Sequence, residues 1–239
     1  MNRFLKNILL CAVAVAGITQ AAAQRKDPLY NMEHFDDNRI QWGYYFGINM
    51  LDFKFDYENL DYTNPLTTEI QIKKNYGFNV GLSGDLRLMK YFNLRIEPGL
   101  VYNQRDLYFP GFQDERDYIR EVRSTYVYIP VLLKISSKRW YNFKPYVTVG
   151  ASTTINLSSN EKLNIDNSEN KFRMKKNTYF YELGVGLDVY TPYFRFSPSI
   201  RGLFSLNDEL IPDMNANSQW TGNLNRIQTR GFLINLTFE

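Results

Sequence analysis

The sequence has little of what enzymes and metal proteins use for chemistry: it holds one cysteine and one histidine. Cys11 lies in an N-terminal apolar run, so the rest of the chain has no thiol for a disulfide or a metal. His34 alone cannot build a zinc site, and it precedes the first predicted strand, away from any candidate nucleophile. No glycine-rich phosphate-binding loop is present. These absences predict a protein that is not an enzyme, with no catalytic residues, metal or cofactor.

Long apolar runs are also missing, because no stretch after residue 24 approaches the roughly 20 residues of a membrane helix. The N-terminus itself has the layout of a secretory signal peptide. A short apolar run, Ile8 to Ile18, follows two basic residues, and an A-x-A site ends at Ala23. We expect cleavage between Ala23 and Gln24, which makes residues 1–23 the signal peptide. A lipid-modified Cys11 is the alternative, although further apolar residues follow it.

The sequence also lacks an excess of charge of one sign, since the formal net charge is only +3. A near-neutral balance argues against a nucleic-acid partner. The mean hydropathy is low, −0.40, yet aromatic residues make up 16% of the chain, with 18 Tyr and 17 Phe. A polar average with many aromatic residues is typical of a transmembrane β-barrel, which needs a lipid face, a polar lumen and aromatic girdles at both interfaces.

Apolar and polar residues alternate along eight segments, which is the period of a β-strand with two different faces. The sequence therefore predicts an all-β fold: an antiparallel up-and-down barrel of about eight strands over residues 41–239, preceded by a segment at 24–40. In the first strand the alternation changes phase near Met50 to Asp52, which predicts a bulge. The eight segments are Gln41 to Tyr57, Tyr76 to Met89, Tyr91 to Asn103, Ser124 to Ile135, Asn142 to Ile155, Thr178 to Tyr190, Tyr193 to Ser205 and Gln228 to Phe238.

The links between these segments alternate between short and long. Short links lie near Lys90, Ser137 to Trp140 and Thr191 to Pro192. Long polar links lie at residues 58–75, 104–123, 156–177 and 206–227. Outer-membrane barrels have short turns on the periplasmic side and long loops outside the cell. The alternation predicts a multi-pass outer-membrane protein in contact with lipid, and the even strand count places its N-terminus in the periplasm. By analogy with other barrels, the apolar last strand with its terminal aromatic Phe238 is expected to be a C-terminal insertion signal.

Charged residues on the polar faces are predicted to pair inside the lumen. A turn at Thr191 to Pro192 would set Asp188 opposite Arg195 and Glu182 opposite Arg201, two opposite-charge pairs in one register. Buried charges need such partners. The second and third strands supply four further lumen charges: Asp85, Arg87, Arg95 and Glu97.

A soluble, lipocalin-like barrel is the alternative, with its apolar face inward and its charged face in water. The choice of residues favours the membrane barrel instead. The apolar faces carry bulky Leu, Ile, Val, Phe and Tyr, whereas the polar faces are rich in Gly and Ser. Small residues suit the crowded interior of an eight-stranded barrel, which also leaves little room for a diffusion channel.

Three blocks of sequence resemble the PorT family of Bacteroidetes, and the likeness runs through most of the chain in order. The first block is Phe35-Asp36-Asp37 followed by Gln41-Trp42-Gly43-Tyr44-Tyr45-Phe46-Gly47-Ile48-Asn49 and Leu51-Asp52-Phe53. The second is Tyr126-Val127-Tyr128-Ile129-Pro130-Val131-Leu132-Leu133-Lys134, and the third is Asn142-Phe143-Lys144-Pro145-Tyr146-Val147 followed by Gly150.

The resemblance implies a role that the residues alone do not. PorT-like proteins are outer-membrane barrels needed for type IX secretion, which exports cargo with a C-terminal sorting domain and supports gliding in some bacteria. The resemblance also implies that other type IX secretion proteins are partners. The PorT family has no catalytic residues that could be assigned to this sequence. A generic outer-membrane barrel, acting as an adhesin, a surface-binding protein or an envelope-stabilising protein, is the alternative.

Overall fold

The structure of the protein is a computed structural model that describes residues 30–58, 69–110, 112, 118–161, 172–215, 218 and 220–239. The predicted signal peptide and its cleavage site at Ala23 and Gln24 lie outside these residues. Among the described residues, no helix is long and apolar enough to cross a membrane. The elements are a 3₁₀ turn, Phe35–Asp37, and the strands β1 Ile40–Tyr57, β2 Gln71–Lys74, β3 Tyr76–Met89, β4 Phe92–Ile96, β5 Gly99–Tyr108, β6 Ile119–Ser136, β7 Phe143–Asn156, β8 Asn177–Tyr190, β9 Arg195–Ser205 and β10 Leu224–Phe238.

The strands form one closed antiparallel sheet. Strand β1 pairs with β10 on one side and, from Ile40 to Met50, with β3 on the other, so the ring is closed. β2 and β3 continue one another across Asn75, and β4 and β5 across Glu97 and Pro98, while β6 pairs with both β4 and β5. The wall is therefore a ring of eight long strands, and the predicted eight-stranded antiparallel barrel is confirmed.

The strands are longer than the alternation predicts, because pairing continues into the long links. β5 extends to Tyr108, β6 begins at Ile119 and β10 begins at Leu224. The short links, at residues 90–91, 137–142 and 191–194, all lie at one end of the barrel. We call this the turn end and the opposite end, which carries the long links, the loop end.

The outer face of the barrel is apolar along most of its height. Trp42 is 74% exposed and Leu82 is 64% exposed, while polar side chains such as Asn79 and Ser83 on the same wall are buried inside. Apolar-out and polar-in is the arrangement of a transmembrane barrel. The soluble-barrel alternative is therefore wrong. Exposed apolar residues recur around the ring, among them Phe46, Ile48, Phe78, Val80, Leu100, Val131, Val147, Leu183, Val185, Ile200 and Phe232.

Toward the loop end the two faces exchange character. On β1 the outer face changes from apolar residues to Asp52, and Asp52 forms ion pairs with Arg230 at 3.1 Å and with Lys74 at 3.0 Å. The lumen here fills with an apolar cluster that includes Phe53 and Ile227. Such a reversal is expected where a barrel wall leaves lipid and enters water, because the outer surface must then be polar and the core apolar.

The predicted bulge near Met50 to Asp52 is wrong. The pairing of β1 with β10 keeps one register from Tyr44 to Asp56, and the irregularity lies at Asp56/Tyr57. The apparent phase change has another cause. Phe53 lies on the inner face of β1, which is uninterrupted at this point. The lumen around Phe53 is apolar, whereas the lumen nearer the turn end is polar.

Candidate functional site

The lumen near the turn end contains a connected cluster of buried charges, which we call the lumen charge cluster. Its side chains come from strands all around the ring and from the residue after β10, and their hydrogen bonds and ion pairs link them without a break. Buried charges are tolerated only in such paired arrangements. The cluster consists of four cations, Arg95, Lys134, Arg195 and Arg201, and five carboxylates, Asp85, Glu97, Glu182, Asp188 and Glu239.

The centre of the cluster is a two-pronged pair between neighbouring strands. Asp85 on β3 lies directly opposite Arg95 on β4. Arg95 donates from Nε to Oδ1 and from Nη2 to Oδ2 of Asp85, both at 2.7 Å. Bidentate arginine–carboxylate pairs are the strongest and most directional of the charge-assisted hydrogen bonds. Both residues are about 1% exposed, so this pair fixes the register of β3 against β4 within the lumen.

A second set of contacts ties opposite walls together. Lys134 on β6 donates to both oxygens of Asp188 on β8, at 2.9 and 2.8 Å, and Ser197 donates to Asp188 at 2.7 Å. Arg195 on β9 reaches across the lumen to Asp85 at 3.1 Å. Glu239 accepts from Nε of Arg195 at 2.7 Å and from Arg95 at 3.2 Å. These contacts cross-link β3, β4, β6, β8 and β9.

The register predicted for β8 against β9 is wrong by two residues. Glu182 lies opposite Leu203 and Arg201 lies opposite Gly184, because the connecting loop spans residues 191–194 and is centred one residue later than predicted. The same side chains remain on the inner face, since a shift of two preserves the alternation. Arg201 and Glu182 still form an ion pair at 3.8 Å, as do Arg195 and Asp188 at 3.9 Å.

The closest partners of these arginines lie elsewhere in the ring. Arg201 donates to Glu97 at 2.5 Å, and Glu182 accepts from the Tyr128 hydroxyl at 2.5 Å. Sequence reasoning did not include Lys134, Tyr128 or Glu239 among the paired groups. Lys134 is the one basic residue in an otherwise apolar stretch of β6, which is a signal that it faces the lumen. The cross-ring partners leave no such signal.

Arg87, predicted as a lumen charge, lies at the mouth of the barrel instead. It donates to the backbone oxygen of Asp36 and pairs with Asp37 at 3.6 Å, and its side chain is one third exposed. Its partners belong to residues 30–39, which we call the N-terminal cap. The cap lies across the turn end.

The N-terminal cap is held over the lumen charge cluster mainly through Asp36. Its carboxylate accepts from the Tyr190 hydroxyl at 2.7 Å, pairs with Lys144 at 3.1 Å and lies 3.8 Å from Arg195. The ring of Phe35 covers the guanidinium of Arg195 at 4.9 Å from its centroid. The cap therefore closes the turn end of the lumen with one carboxylate and one aromatic ring.

Two apolar layers close the lumen above the charges. The first contains Leu51, Val101, Phe180, Leu203 and Leu233 together with Tyr126 and Tyr128, and leaves a cavity of only about 20 Å³. Above it lie a polar contact, in which Arg105 donates to Tyr126 at 2.7 Å, and then the apolar cluster around Phe53, Leu107 and Ile227. A lumen filled in this way leaves no continuous water path through the described part of the barrel.

The cluster has the geometry of a structural network rather than of a catalytic centre. Each cation is neutralised by a carboxylate, and the cluster is walled off at both ends. His34 lies outside it: its side chain is 92% exposed and pairs with Asp37 at 3.3 Å. In the described part of the chain, no group of three or more His, Cys, Asp or Glu side chains is arranged to hold a metal ion.

Comparison with known proteins gives one family match and several structural likenesses. A family model described as "Outer membrane protein beta-barrel domain" matches residues 22–210. The structure is similar to OprG from Pseudomonas aeruginosa, with 14% identity and a TM-score of 0.45 over 83% of this chain and 92% of OprG. It is also similar to Ail, the attachment invasion locus protein of Yersinia pestis, in complex with the heparin analogue sucrose octasulfate. That likeness has 13% identity and a TM-score of 0.39 over 84% of this chain and 99% of Ail. No curated protein sequence matches the chain.

Proposed function

Because the chain belongs to the family of outer membrane protein β-barrel domains, we propose that it is a non-enzymatic outer-membrane component that works in type IX protein secretion. The family supports the location and the barrel. The secretion role rests on the resemblance of three sequence blocks to the PorT family, and on what those blocks do in this fold.

The observation that carries the proposal is that the three blocks meet at the capped turn end. Asp36 of the first block pairs with Lys144 of the third at 3.1 Å. Lys134 of the second block lies 4.2 Å from the ring centroid of Tyr146 of the third and pairs with Asp188 at 2.8 Å, beneath the cap. The likeness therefore includes residues that hold the cap and close the lumen. A closed, capped barrel suits a protein that works by contact with other secretion proteins rather than by passing solutes.

The proposal includes an orientation and a processing step. The turn end, with residues 24–40, faces the periplasm after cleavage between Ala23 and Gln24, and the long links face the cell exterior. Protease added to whole cells should then cut within the long links and leave the short turns intact. Cleavage confined to the turns at residues 90–91, 137–142 and 191–194 would reverse this orientation.

A deletion strain tests the secretion role. Cargo with a C-terminal sorting domain should be lost from the medium and retained in the cell, and the wild-type gene should restore export. As a control, the amounts of unrelated outer-membrane barrels should not change, because a general envelope defect would lower them too. Normal export of cargo in the deletion strain would contradict the proposal and leave the generic barrel roles.

A further inference from the structure

A cavity of about 330 Å³ lies at the turn end, between the N-terminal cap and two neighbouring turns of the barrel wall. It is many times larger than the roughly 10–15 Å³ that one water molecule needs. Five cationic side chains and two carboxylates contribute to its wall: Arg87, Lys90, Lys138, Arg139 and Lys144, with Asp36 and Asp37. The lumen charge cluster uses none of the five cations.

The two carboxylates do not neutralise this wall. Asp36 is paired with Lys144 at 3.1 Å and Asp37 with Arg87 at 3.6 Å. Arg139 donates to neutral oxygens, including the backbone oxygen of Tyr141 at 2.7 Å and Oδ1 of Asn142 at 3.1 Å. Lys90 and Lys138 form no ion pair with any described residue, and the ammonium of Lys90 lies 5.5 Å from the ring centroid of Tyr91. The cavity therefore keeps an excess of positive charge.

The two unpaired lysines lie on two turns at the turn end. Lys90 lies in the turn between β3 and β4, and Lys138 lies in the link between β6 and β7. These turns are neighbours because β4 pairs with β6, with Phe92 opposite Ile135. Two flexible ammonium groups at one rim can contact a single phosphate as hydrogen-bond donors and as opposite charges.

One residue of the cavity wall, Gln41, carries a buried acceptor without a donor among the described residues. Gln41 is 6% exposed, and its Nε2 donates to the backbone oxygen of Phe35 at 2.9 Å. Its Oε1 is buried and accepts from no described group. Such an unpaired acceptor costs free energy. The cavity thus has a cationic rim, which matches the charge of an anionic phosphate ester.

The position of the cavity along the barrel axis indicates which ligand it binds. Exposed aromatic residues lie at the same end, including Trp140, Tyr141 and Tyr91, and Tyr193 is 90% exposed. Aromatic girdles mark the level of the lipid headgroups. We infer that this cavity binds the headgroup of an anionic phospholipid in the leaflet that borders the turn end, with Lys90 and Lys138 at the phosphate. Basic pockets beside transmembrane segments bind phospholipid headgroups in this way.

The test measures lipid binding by the full chain in a zwitterionic detergent, by native mass spectrometry with phosphatidylglycerol, phosphatidylcholine and inorganic phosphate as separate probes. Wild-type protein should prefer phosphatidylglycerol. The double substitution Lys90→Gln with Lys138→Gln should weaken that binding roughly 30-fold, since each lysine near a lipid surface contributes about fivefold. Neither lysine is ion-paired, so the variant should keep its heat-modifiable mobility on gels.

A matched control removes the same charge at the other end: Lys54→Gln with Lys73→Gln, two exposed lysines toward the loop end. This control should bind phosphatidylglycerol like wild type. Equal losses in both variants would show a general charge effect and overturn the proposal. Unchanged binding by the Lys90 and Lys138 variant would also overturn it. Inorganic phosphate that binds as tightly as the lipid would make the cavity a free-phosphate site and would contradict the lipid assignment.

Discussion

Arg201 lies between two carboxylates in the lumen, and its distances to them indicate which one interacts with it more strongly. Its Nη2 is 2.5 Å from Glu97, whereas its Nη1 is 3.8 Å from Glu182. Glu182 has a second partner in the Tyr128 hydroxyl. Because Coulomb energy and hydrogen-bond energy both fall with distance, Glu97 carries most of the interaction with Arg201.

A double-mutant cycle should reproduce this ranking. Arg201→Met removes the nearer cation of Glu97, which keeps Arg95 at 3.3 Å, and should lower the free energy of unfolding by up to about 3–5 kcal/mol. The coupling energy of Arg201 with Glu97, measured with Glu97→Gln in lipid or detergent, should exceed the coupling with Glu182. A larger coupling with Glu182, the partner that a simple turn at Thr191 to Pro192 would predict, would contradict the structure. Single variants within about 0.5 kcal/mol of wild type would mean solvent-facing charges.

Glu209 is a carboxylate in the link between β9 and β10, outside the membrane-spanning strands. Burial raises the pKa of its carboxyl, although Thr229 donates to it from N at 2.7 Å and from Oγ1 at 2.9 Å, and Arg105 lies nearby. The folded protein therefore holds this proton more tightly than the unfolded chain. The resulting stability is fully present below the ordinary pKa of glutamate and is lost as the pH rises through the folded pKa.

We expect the free energy of unfolding to decrease as the pH rises from about 4, near the ordinary pKa of glutamate, toward neutrality. Glu209→Gln should flatten this decrease, because the amide cannot titrate. Glu121→Gln, at a half-exposed carboxylate on the outer face of β6, should leave the slope unchanged. A slope that is the same in Glu209→Gln and wild type would place the titrating group elsewhere.

At the scale of single elements, the seam between β1 and β10 closes the barrel, and aromatic rings cover its outer face near the turn end. The ring of Phe238 lies 5.6 Å from those of Tyr44 and Phe46, 5.8 Å from Phe194 and 5.1 Å from Phe196. Aromatic pairs contribute about 0.5–1.5 kcal/mol beyond their buried area. Phe238 thus joins three strands at the point where the ring closes.

Phe238→Ala should therefore lower the fraction of folded, heat-modifiable barrel in the outer membrane and destabilise the purified barrel by about 1–3 kcal/mol, the sum of a few aromatic pairs. Phe232→Ala is the matched control, since Phe232 lies on the same strand and face, is 54% exposed and makes no ring contact with another described residue. Equal effects of the two substitutions would reduce the role of Phe238 to its general hydrophobicity.

The N-terminal cap depends on one carboxylate that the barrel residues hold. Asp36→Asn should weaken the contacts with Lys144 and Arg195 and raise proteolysis or amide exchange within residues 30–39. The rise should be about tenfold, which corresponds to the loss of one charge-assisted hydrogen bond. Asp37→Asn, at a carboxylate whose side chain is 70% exposed, should have little effect. Identical protection in all three proteins would show that the cap is held by other contacts.

The elements differ in how far the sequence predicts them. Eight strands could be recognised because lipid and lumen impose opposite polarity on alternate residues, and β3 has the predicted bounds, Tyr76–Met89. Beyond the apolar band the polarity of the two faces reverses, so the alternation predicts a bulge near Met50 to Asp52 where β1 is regular. The register of β8 against β9 depends on a four-residue loop, and a loop of that length carries no register signal in its sequence.

At the scale of the whole molecule, the barrel is a stack of layers along its axis. The cap, the lumen charge cluster, a first apolar layer, the Arg105 contact and a second apolar cluster follow one another from the turn end to the loop end. The inward position of the charges could be predicted from alternation. Their partners could not, because contacts such as Lys134 with Asp188 depend on how the ring closes and how its strands are staggered.

The closed lumen is the central claim, and the conductance of the purified barrel in a planar lipid bilayer tests it most directly. The protein should insert without producing stable current steps, because two apolar layers and the charge cluster fill the lumen in the described part of the barrel. A general diffusion porin measured in the same bilayer serves as the positive control. Reproducible conductance steps from the wild-type barrel would show an open channel and would contradict both the closed lumen and the contact-based role proposed from it.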